Sequence, residues 1–265
     1  MNAVTLTDVA AALALVGVAI GISVWQRLAV EGDMAMAAAR SFVQLTAVGY
    51  VITLIFDSGN LGFTFLLIGV MALVGALTAR RRAKPVPGAF VPLLIALVLA
   101  GVTTLALVVA LGVFSAKARY LVPVGGMVIG NAMTAAAVAL NRLGDEVASS
   151  AREIEATLAL GATSAQAMRP ILRRSLRSGL IPLIDQTKTT GLVTFPGIMV
   201  GSLLAGAAPV EAVRLQLVIL YILLGAVSIA AFTSMTLAYR NFFTDAHQLR
   251  EEALETSSVR APPRG

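Results

Sequence analysis

The sequence contains no cysteine and a single histidine, His247, near its C-terminal end. Without cysteine the chain can form no disulfide and offers no thiolate ligand to a metal ion. Because His247 lies outside the apolar segments, an imidazole-lined path through a membrane is also excluded. There is no G-x-S-x-G and no H-E-x-x-H motif, and Lys188-Thr189 is preceded by Thr187 instead of the glycine of a P-loop. We therefore expect no enzyme, no bound cofactor and no ATP site on this chain.

Charge is also scarce. Of 265 residues, 13% are charged and 58% are hydrophobic, whereas soluble domains are about 25% charged. The composition predicts an all-α polytopic membrane protein. The formal net charge of +6 reflects membrane topology instead of nucleic-acid binding, because the basic residues lie between apolar segments. The lipid bilayer is thus an expected partner, and nucleic acid is not.

The apolar segments are each close to the roughly 20 residues that cross a bilayer. About seven spans are predicted, at Val9–Val24, Met34–Phe56, Leu61–Leu77, Phe90–Phe114, Tyr120–Leu140, Leu180–Ala205 and Val213–Tyr239. Asp8 and no basic residue precede the first segment, so we expect an uncleaved span and not a signal peptide. The predicted transmembrane domain covers residues 1–243, with a polar loop at 141–179. A charged tail at 244–265, ending near Pro-Pro, is expected to be partly disordered.

The distribution of Lys and Arg predicts the orientation. One side of the membrane would carry Arg27, Arg80, Arg81, Arg82, Lys84, Arg142, Arg152, Arg169, Arg173, Arg174, Arg177, Arg240, Arg250, Arg260 and Arg264. The other side would carry only Lys117, Arg119 and Arg214. The positive-inside rule places the first group in the cytoplasm. The N-terminus is then outside, and the C-terminus and the polar loop are inside the cell.

The polar loop contains the start and stop signals of two short helices. Ser150 with Glu153, and Thr163 with Gln166, have the spacing of capping boxes. Gly161 between them supplies a left-handed helix stop. Pro170 suits the first turn of a further segment. The first helix is amphipathic, with Ile154, Leu158 and Gly161 predicted on one face, which is typical of an element that contacts something outside the bilayer.

Several polar residues fall inside the predicted spans, where each is costly unless it has a partner. Arg40 and Gln44 are four residues apart in the second span, and Asn131 and Thr134 share a face of the fifth. In the sixth, Asp185 and Lys188 have the spacing of an internal ion pair. An internal pair, an interfacial position and a transport role all remain open for these two residues.

Small residues and prolines mark where helices can approach or bend. Gly126-x-x-x-Gly130 and Gly197-x-x-x-Gly201 are predicted close-packing motifs. Pro182 and Pro196 can kink or break the sixth span. Met127, Met133 and Met199 lie in the same region, as gap-filling side chains or as soft-metal ligands. The candidate translocation path comprises Arg40, Gln44, Asn131, Met133, Asp185, Lys188, Thr189 and Met199.

The polar loop resembles the cytoplasmic EAA loop of ABC-transporter permeases, the coupling helix that sits in a groove of the ATPase subunit. The similarity lies in Glu155-Ala156 followed by Gly161 and Ile171. The loop departs from that pattern at Thr157, where a second alanine is expected, and at Arg173-Arg174, where Leu-Pro is expected. The resemblance implies that Glu155, Ala156 and Gly161 couple the chain to an ATPase.

A more specific resemblance extends from about Arg40 to Phe243. The chain carries RSFVQL at residues 40–45, PVGGMVIGNAM at 123–133, ALNR at 139–142, LALGA at 158–162, PGIMVG at 196–201 and EAVR at 211–214. These segments resemble the bacterial ABC permeases linked to iron export, whose plant relatives are the aluminium-sensitivity membrane proteins. The resemblance implies a permease in the bacterial inner membrane, assembled as two copies with two separate ATPase subunits. Iron or a related metal is its implied cargo.

Two other classes of function remain open at this level. An ATP-independent secondary transporter or channel would use Asp185 for proton coupling. A structural or regulatory membrane protein would use the polar loop to dock a cytosolic partner. ATP dependence of transport separates the first alternative from the permease, and transport by a Glu155→Arg variant separates the second.

Overall fold

The computed structural model of the chain describes residues 6–83, 85–244 and 246–250. The regular secondary structure of these residues is helical, and their β-structure is limited to isolated bridges. The helices are α1 (Leu6–Trp25), α2 (Glu31–Ser58), α3 (Leu61–Arg82), α4 (Phe90–Ala110), α5 (Ala118–Ser149), α6 (Ala151–Ala159), α7 (Ser164–Thr189), α8 (Gly197–Leu204) and α9 (Pro209–Ala238), followed by a 3₁₀ turn at Tyr239–Phe242.

Six of these helices, α1 to α5 and α9, are long and apolar enough to cross a membrane within the described part of the chain. The predicted sixth span, Leu180–Ala205, is wrong as a single helix, because α7 ends at Thr189 and α8 begins at Gly197. Gly191 between them has φ +87, and Pro196 disfavours helical geometry at the residue before it. Within the described residues six helices are thus long and apolar enough to span, compared with about seven predicted, and the segment predicted as the sixth span is broken.

The chain divides into two compact units, Met1–Asn60 and Leu61–Gly265. In the first unit α1 packs against α2. Ser23 is buried and donates a hydrogen bond to Oε2 of Glu31 at 3.1 Å, which ties the end of α1 to the start of α2. Nearly all of the apolar surface of these two helices is exposed, as expected of helices that face lipid.

In the second unit α5 is the central helix, and it contacts α3, α4, α7 and α9. The buried face of α5 is rich in alanine, including Ala132, Ala135, Ala136 and Ala139. Small side chains let neighbouring helix backbones approach closely, which is how helices associate where no hydrophobic effect drives them together. The close approach occurs at Gly179 of α7, because a Cβ there would lie 2.7 Å from the carbonyl oxygen of Ala135.

The two predicted glycine motifs are not the close-packing positions in this fold. Among the described residues, no atom outside the local helix backbone lies within 4 Å of a Cβ position at Gly130, Gly197 or Gly201, and Gly126 has only Met71, at 3.8 Å. The spacing of small residues shows that a helix face permits approach, but it does not show that a partner lies against it. The tightest glycines of the second unit are Gly144 and Gly179. Gly144 packs directly against Pro85 in the link between α3 and α4.

The polar end of the second unit is held together by contacts between distant segments. Asn241 donates a hydrogen bond to the carbonyl of Pro87 at 2.9 Å. The side chains of Ser164 and His247 are within hydrogen-bond distance, at 3.1 Å between Oγ and Nδ1. The α3–α4 link, the end of α5, the start of α7 and the C-terminal segment therefore lie at one end of the unit. The most basic segments of the sequence lie at this same end.

The polar segment at 141–179 is helical on both sides of the break at Gly161, as predicted, but its second helix is longer than predicted. Residues 141–149 continue α5, and α7 runs without interruption from Ser164 to Thr189, so Pro170 lies inside α7 and starts no new segment. The C-terminal tail was expected to begin at residue 244 and to be partly disordered. Residues 251–265 lie outside the described residues, whereas Arg250 donates hydrogen bonds back to the carbonyls of Phe242 and Phe243.

Candidate functional site

The short helix α6 is where the amphipathic element was expected. Its predicted start at Ala151 and the left-handed stop at Gly161, with φ +90, are confirmed. The capping box of Thr163 with Gln166 is confirmed as well. The box at Ser150 is wrong. Ser150 has φ −109 and ψ 15 and makes no side-chain cap, because its backbone is not in the extended region that aims an N-cap hydroxyl at the following amides.

One face of α6 is buried and the other is exposed. Ile154 is 2% exposed and Leu158 is half-buried against the core, as the amphipathic pattern predicted. Glu155, Ala156 and Gly161 are all exposed, so Gly161 does not share the buried face. Leu160 directly before the glycine is 90% exposed. An apolar side chain held out at the tip of a polar segment is the kind of residue that anchors a protein–protein contact.

Buried Glu146 connects the helices on either side of α6. Its Oε2 accepts two hydrogen bonds from Arg174 of α7, from Nε at 3.0 Å and from Nη2 at 2.8 Å. Its Oε1 pairs with Arg142, one turn earlier in α5, at 2.6 Å. Charge-assisted bonds of this kind are stronger than neutral ones. The Glu146–Arg174 pair therefore fixes the end of α5 against α7 and holds the two ends of the α6 segment at a set distance.

We expect Glu146→Ala to lower the free energy of unfolding by about 1–2 kcal/mol, less than for a fully buried ion pair because both arginines are half-exposed. Arg174→Ala should have a similar effect, since it removes the same connection between α5 and α7. Arg142→Ala is the matched control, because Arg142 and Glu146 lie on one helix and their pair joins no two elements. Chemical unfolding in detergent checks the order; equal losses for Arg142→Ala and Arg174→Ala would contradict it.

A small cavity between α5, α7 and α9 lies beside Asn131. Its volume is about 150 Å³, and Asn131, Thr134 and Gln186 supply its polar lining. Asn131 donates through Nδ2 to the carbonyl of Met127 at 2.9 Å. Within the described part of the chain, Oδ1 of Asn131 and the side-chain amide of Gln186 therefore remain available to bind a ligand. Amide oxygens are among the ligands that hard cations accept.

Most of the other predicted path residues do not line this cavity. Asp185 and Lys188 form the predicted pair at 3.8 Å, with both side chains largely exposed. Thr189 donates to backbone carbonyls of its own helix. Met133 lies against Gly75 of α3, with its Sδ 3.8 Å from a Cβ position at that glycine. Met199 is half-buried on α8, and Arg40 and Gln44 lie four residues apart on the exposed surface of α2 in the first unit.

Three residues of this region were not singled out from the sequence. Glu146 was detectable by its i, i+4 spacing from Arg142, but nothing in the sequence indicates Arg174 as its second partner. Gln186 was overlooked beside Asp185, although only Gln186 of the two lines the cavity. Leu160 belongs to an apolar run, and its exposure depends on where the helix stops. Within the described residues no cluster of three His, Cys, Asp or Glu side chains could hold a metal ion.

Comparison with known proteins identifies the family. A family profile described as "Uncharacterised protein family (UPF0014)" matches residues 6–243. The chain belongs to UPF0014. It is 40% identical to the protein ALUMINUM SENSITIVE 3 of Arabidopsis thaliana, over 91% of this chain and 88% of the relative. It is 37% identical to the probable iron export permease protein FetB of Escherichia coli, over 94% of this chain and 97% of the relative.

Further UPF0014 relatives include the membrane protein STAR2 of rice, 40% identical over 91% of this chain and 85% of the relative. The resemblance to iron-export permeases and plant aluminium-sensitivity proteins is thereby confirmed. This UPF0014 member is a multi-pass membrane protein. No solved structure matches the chain.

Proposed function

We propose that this chain is the membrane-spanning permease subunit of an ABC transporter, with ATP hydrolysis supplied by a separate ATPase subunit. The observation that carries the proposal is α6 with its exposed tip. A permease of this class needs a rigid cytoplasmic element that enters a groove of the ATPase. The exposed face of α6, with Glu155, Ala156, Leu160 and Gly161, has the shape and position for that role. The Glu146–Arg174 pair supplies the rigidity.

The proposed orientation places the polar end of the second unit in the cytoplasm, with the N-terminus outside. Three contacts indicate that distant segments lie at the same end of the second unit. They join Asn241 to Pro87, Gly144 to Pro85, and Ser164 to His247. The arginines of α3, α5 and α7 lie in these same segments, as the positive-inside rule requires of a cytoplasmic side. We propose the plasma membrane of a bacterial cell as the location, and residues 1–243 as one permease domain.

The proposed cargo is iron or a related metal ion, moved outward. The 37% identity over nearly the whole chain to FetB, a probable iron export permease, supports this choice. The chain has no cysteine, so the ligands would be oxygen atoms or thioethers. Asn131 and Gln186 provide amide oxygens beside the α5–α7 contact, which suits a hard cation that keeps part of its water shell. We propose these residues, not Asp185, as the centre of the path.

Two copies of the permease with two ATPase subunits form the proposed assembly. No observation favours the secondary-transporter alternative, because Asp185 is paired with Lys188 on an exposed surface and does not line the cavity. A proton-coupling carboxylate is expected to face a water-filled or bundle-interior path.

ATP hydrolysis by a candidate ATPase, with and without this chain in liposomes, tests the proposal. The panel contains ferrous iron, other divalent cations and small anions. We expect stimulation that needs both this chain and a metal ion of the panel, together with accumulation of that ion on the side away from the ATPase. Ion flux that proceeds at the same rate without ATP would instead establish the secondary transporter.

A further inference from the structure

A second, larger cavity opens at the polar end of the second unit, between the end of α3, α5 and α7. Its volume is about 610 Å³. Three guanidinium groups line it, from Arg81 and Arg82 of α3 and Arg142 of α5. Ser178 of α7 lies on another wall. The cavity is thus an open basic pocket bordered by three helices, and the function proposed above gives it no role.

The pocket lies at the level where a bilayer changes from hydrocarbon to headgroups. About 20 helical residues cross the hydrocarbon, and that length ends near Arg80 when counted from the start of α3, and near Ala137 when counted from the start of α5. Arg81, Arg82 and Arg142 therefore lie just beyond the hydrocarbon. Ala137 and Val138, which also line the pocket, lie at its edge.

The charges of the pocket are only partly neutralised. Arg142 shares its charge with Glu146, and Asp145 lines the pocket while accepting a hydrogen bond from Asn141 at 3.3 Å. Within the described residues Arg81 and Arg82 form no salt bridge. Two neighbouring guanidinium groups without carboxylate partners, facing a cavity, present the donors that bind phosphate most effectively.

We propose that this basic pocket binds the phosphate-bearing headgroup of an anionic membrane lipid. Arg81 and Arg82 would hold the phosphate, and Ser178 and Asn141 would reach other polar atoms of the headgroup. Val138, which is 38% exposed, would contact the first carbons of the acyl chains. Basic pockets between membrane helices on the cytoplasmic side are known to select such headgroups, and the apolar wall distinguishes a lipid from a soluble phosphate compound.

The test uses the purified full-length chain in neutral detergent, with binding followed by native mass spectrometry. The probes are phosphatidylglycerol, phosphatidylcholine and soluble glycerol phosphate. We expect phosphatidylglycerol to bind best and glycerol phosphate not to compete at millimolar concentration. The double variant Arg81→Gln/Arg82→Gln should bind phosphatidylglycerol about tenfold or more weakly, since each basic residue near the headgroups contributes on the order of 1 kcal/mol.

Two further variants make the test specific. Arg169→Gln/Arg173→Gln removes the same charge from the exposed face of α7 outside the pocket and should change binding by less than about twofold. Asp145→Asn removes the opposing carboxylate and should tighten binding, while an unfolded or misassembled protein would not bind more tightly. Equal weakening by both arginine pairs would overturn the pocket in favour of general surface attraction. Binding of glycerol phosphate as tight as that of the lipid would overturn the lipid.

Discussion

Gly179→Ala is expected to destabilise the helix bundle, although alanine is the better helix former. A Cβ at this position would lie 2.7 Å from the carbonyl oxygen of Ala135 and 2.8 Å from the Cβ of Ala139. Both neighbours belong to or adjoin the α5 backbone and cannot rotate away, so α5 and α7 must separate. Overpacking of this kind costs about 1–3 kcal/mol. Thermal or chemical unfolding in detergent measures the loss.

Gly130→Ala is the matched control. It is the same substitution inside a long helix, but no atom lies within 4 Å of the added carbon. We expect it to leave stability unchanged or to raise it by up to about 1 kcal/mol, through helix propensity alone. The two substitutions should thus differ in sign. If both were neutral, α5 and α7 would not be in contact at Gly179 in the membrane protein.

The separation of α5 from α7 should also change the geometry of the cavity at Asn131. Gly179 itself lines that cavity, together with Leu183 and Gln186 on the following turns of α7. A shift of α7 away from α5 therefore moves Gln186 relative to Asn131. If the two amides act together on the cargo, Gly179→Ala lowers transport even at temperatures where the protein remains folded.

Leu160→Asp is expected to abolish ATPase docking while the permease still folds. Leu160 is 90% exposed, so its substitution should change the free energy of unfolding by no more than about 0.5 kcal/mol. An aspartate at this position would bury an unpaired carboxylate in the interface, which costs about 2 kcal/mol or more, roughly a 30-fold change in affinity. Binding of the candidate ATPase to the chain in nanodiscs, and its stimulated hydrolysis, should both fall by at least that factor.

Leu160→Met is the control for this prediction, because methionine is also apolar and has a similar volume. It should retain most of the stimulation. If Leu160→Asp stimulates hydrolysis as well as the wild type does, α6 is not the element that enters the ATPase. An equal loss of folded protein for both variants would show that Leu160 packs inside the assembled permease instead.

The helices of this protein are predictable from its sequence because most of them must satisfy one simple condition. A segment that crosses hydrocarbon has to pair its own backbone groups, so length and hydropathy are sufficient to locate α1 to α5 and α9. The segment Leu180–Ala205 has the same hydropathy, yet it breaks at Gly191 and Pro196. The mean hydropathy of a segment contains no information about backbone conformation. It therefore does not predict the helix break caused by a left-handed glycine or by a proline.

The candidate site was predictable only where its residues interact locally. The stop at Gly161, the cap at Thr163 and the pair of Asp185 with Lys188 all join residues a few positions apart. The partnership of Glu146 with Arg174 and the cavity shared by Asn131 and Gln186 depend on how α5 packs against α7. That packing depends on which alanines and glycines face each other, and several small residues in each helix satisfy the pattern equally well.

The continuity of α7 has a mechanical consequence. One unbroken helix of 26 residues joins the segment beside α6 to the break at Thr190, a length of about 39 Å at 1.5 Å per residue. A tilt of about 5° at the Ser164 end would displace the Thr189 end by roughly 3 Å over that length. The helix would then act as a lever arm, and Pro170 and Pro182, both inside α7, are the points along it where bending requires the least force.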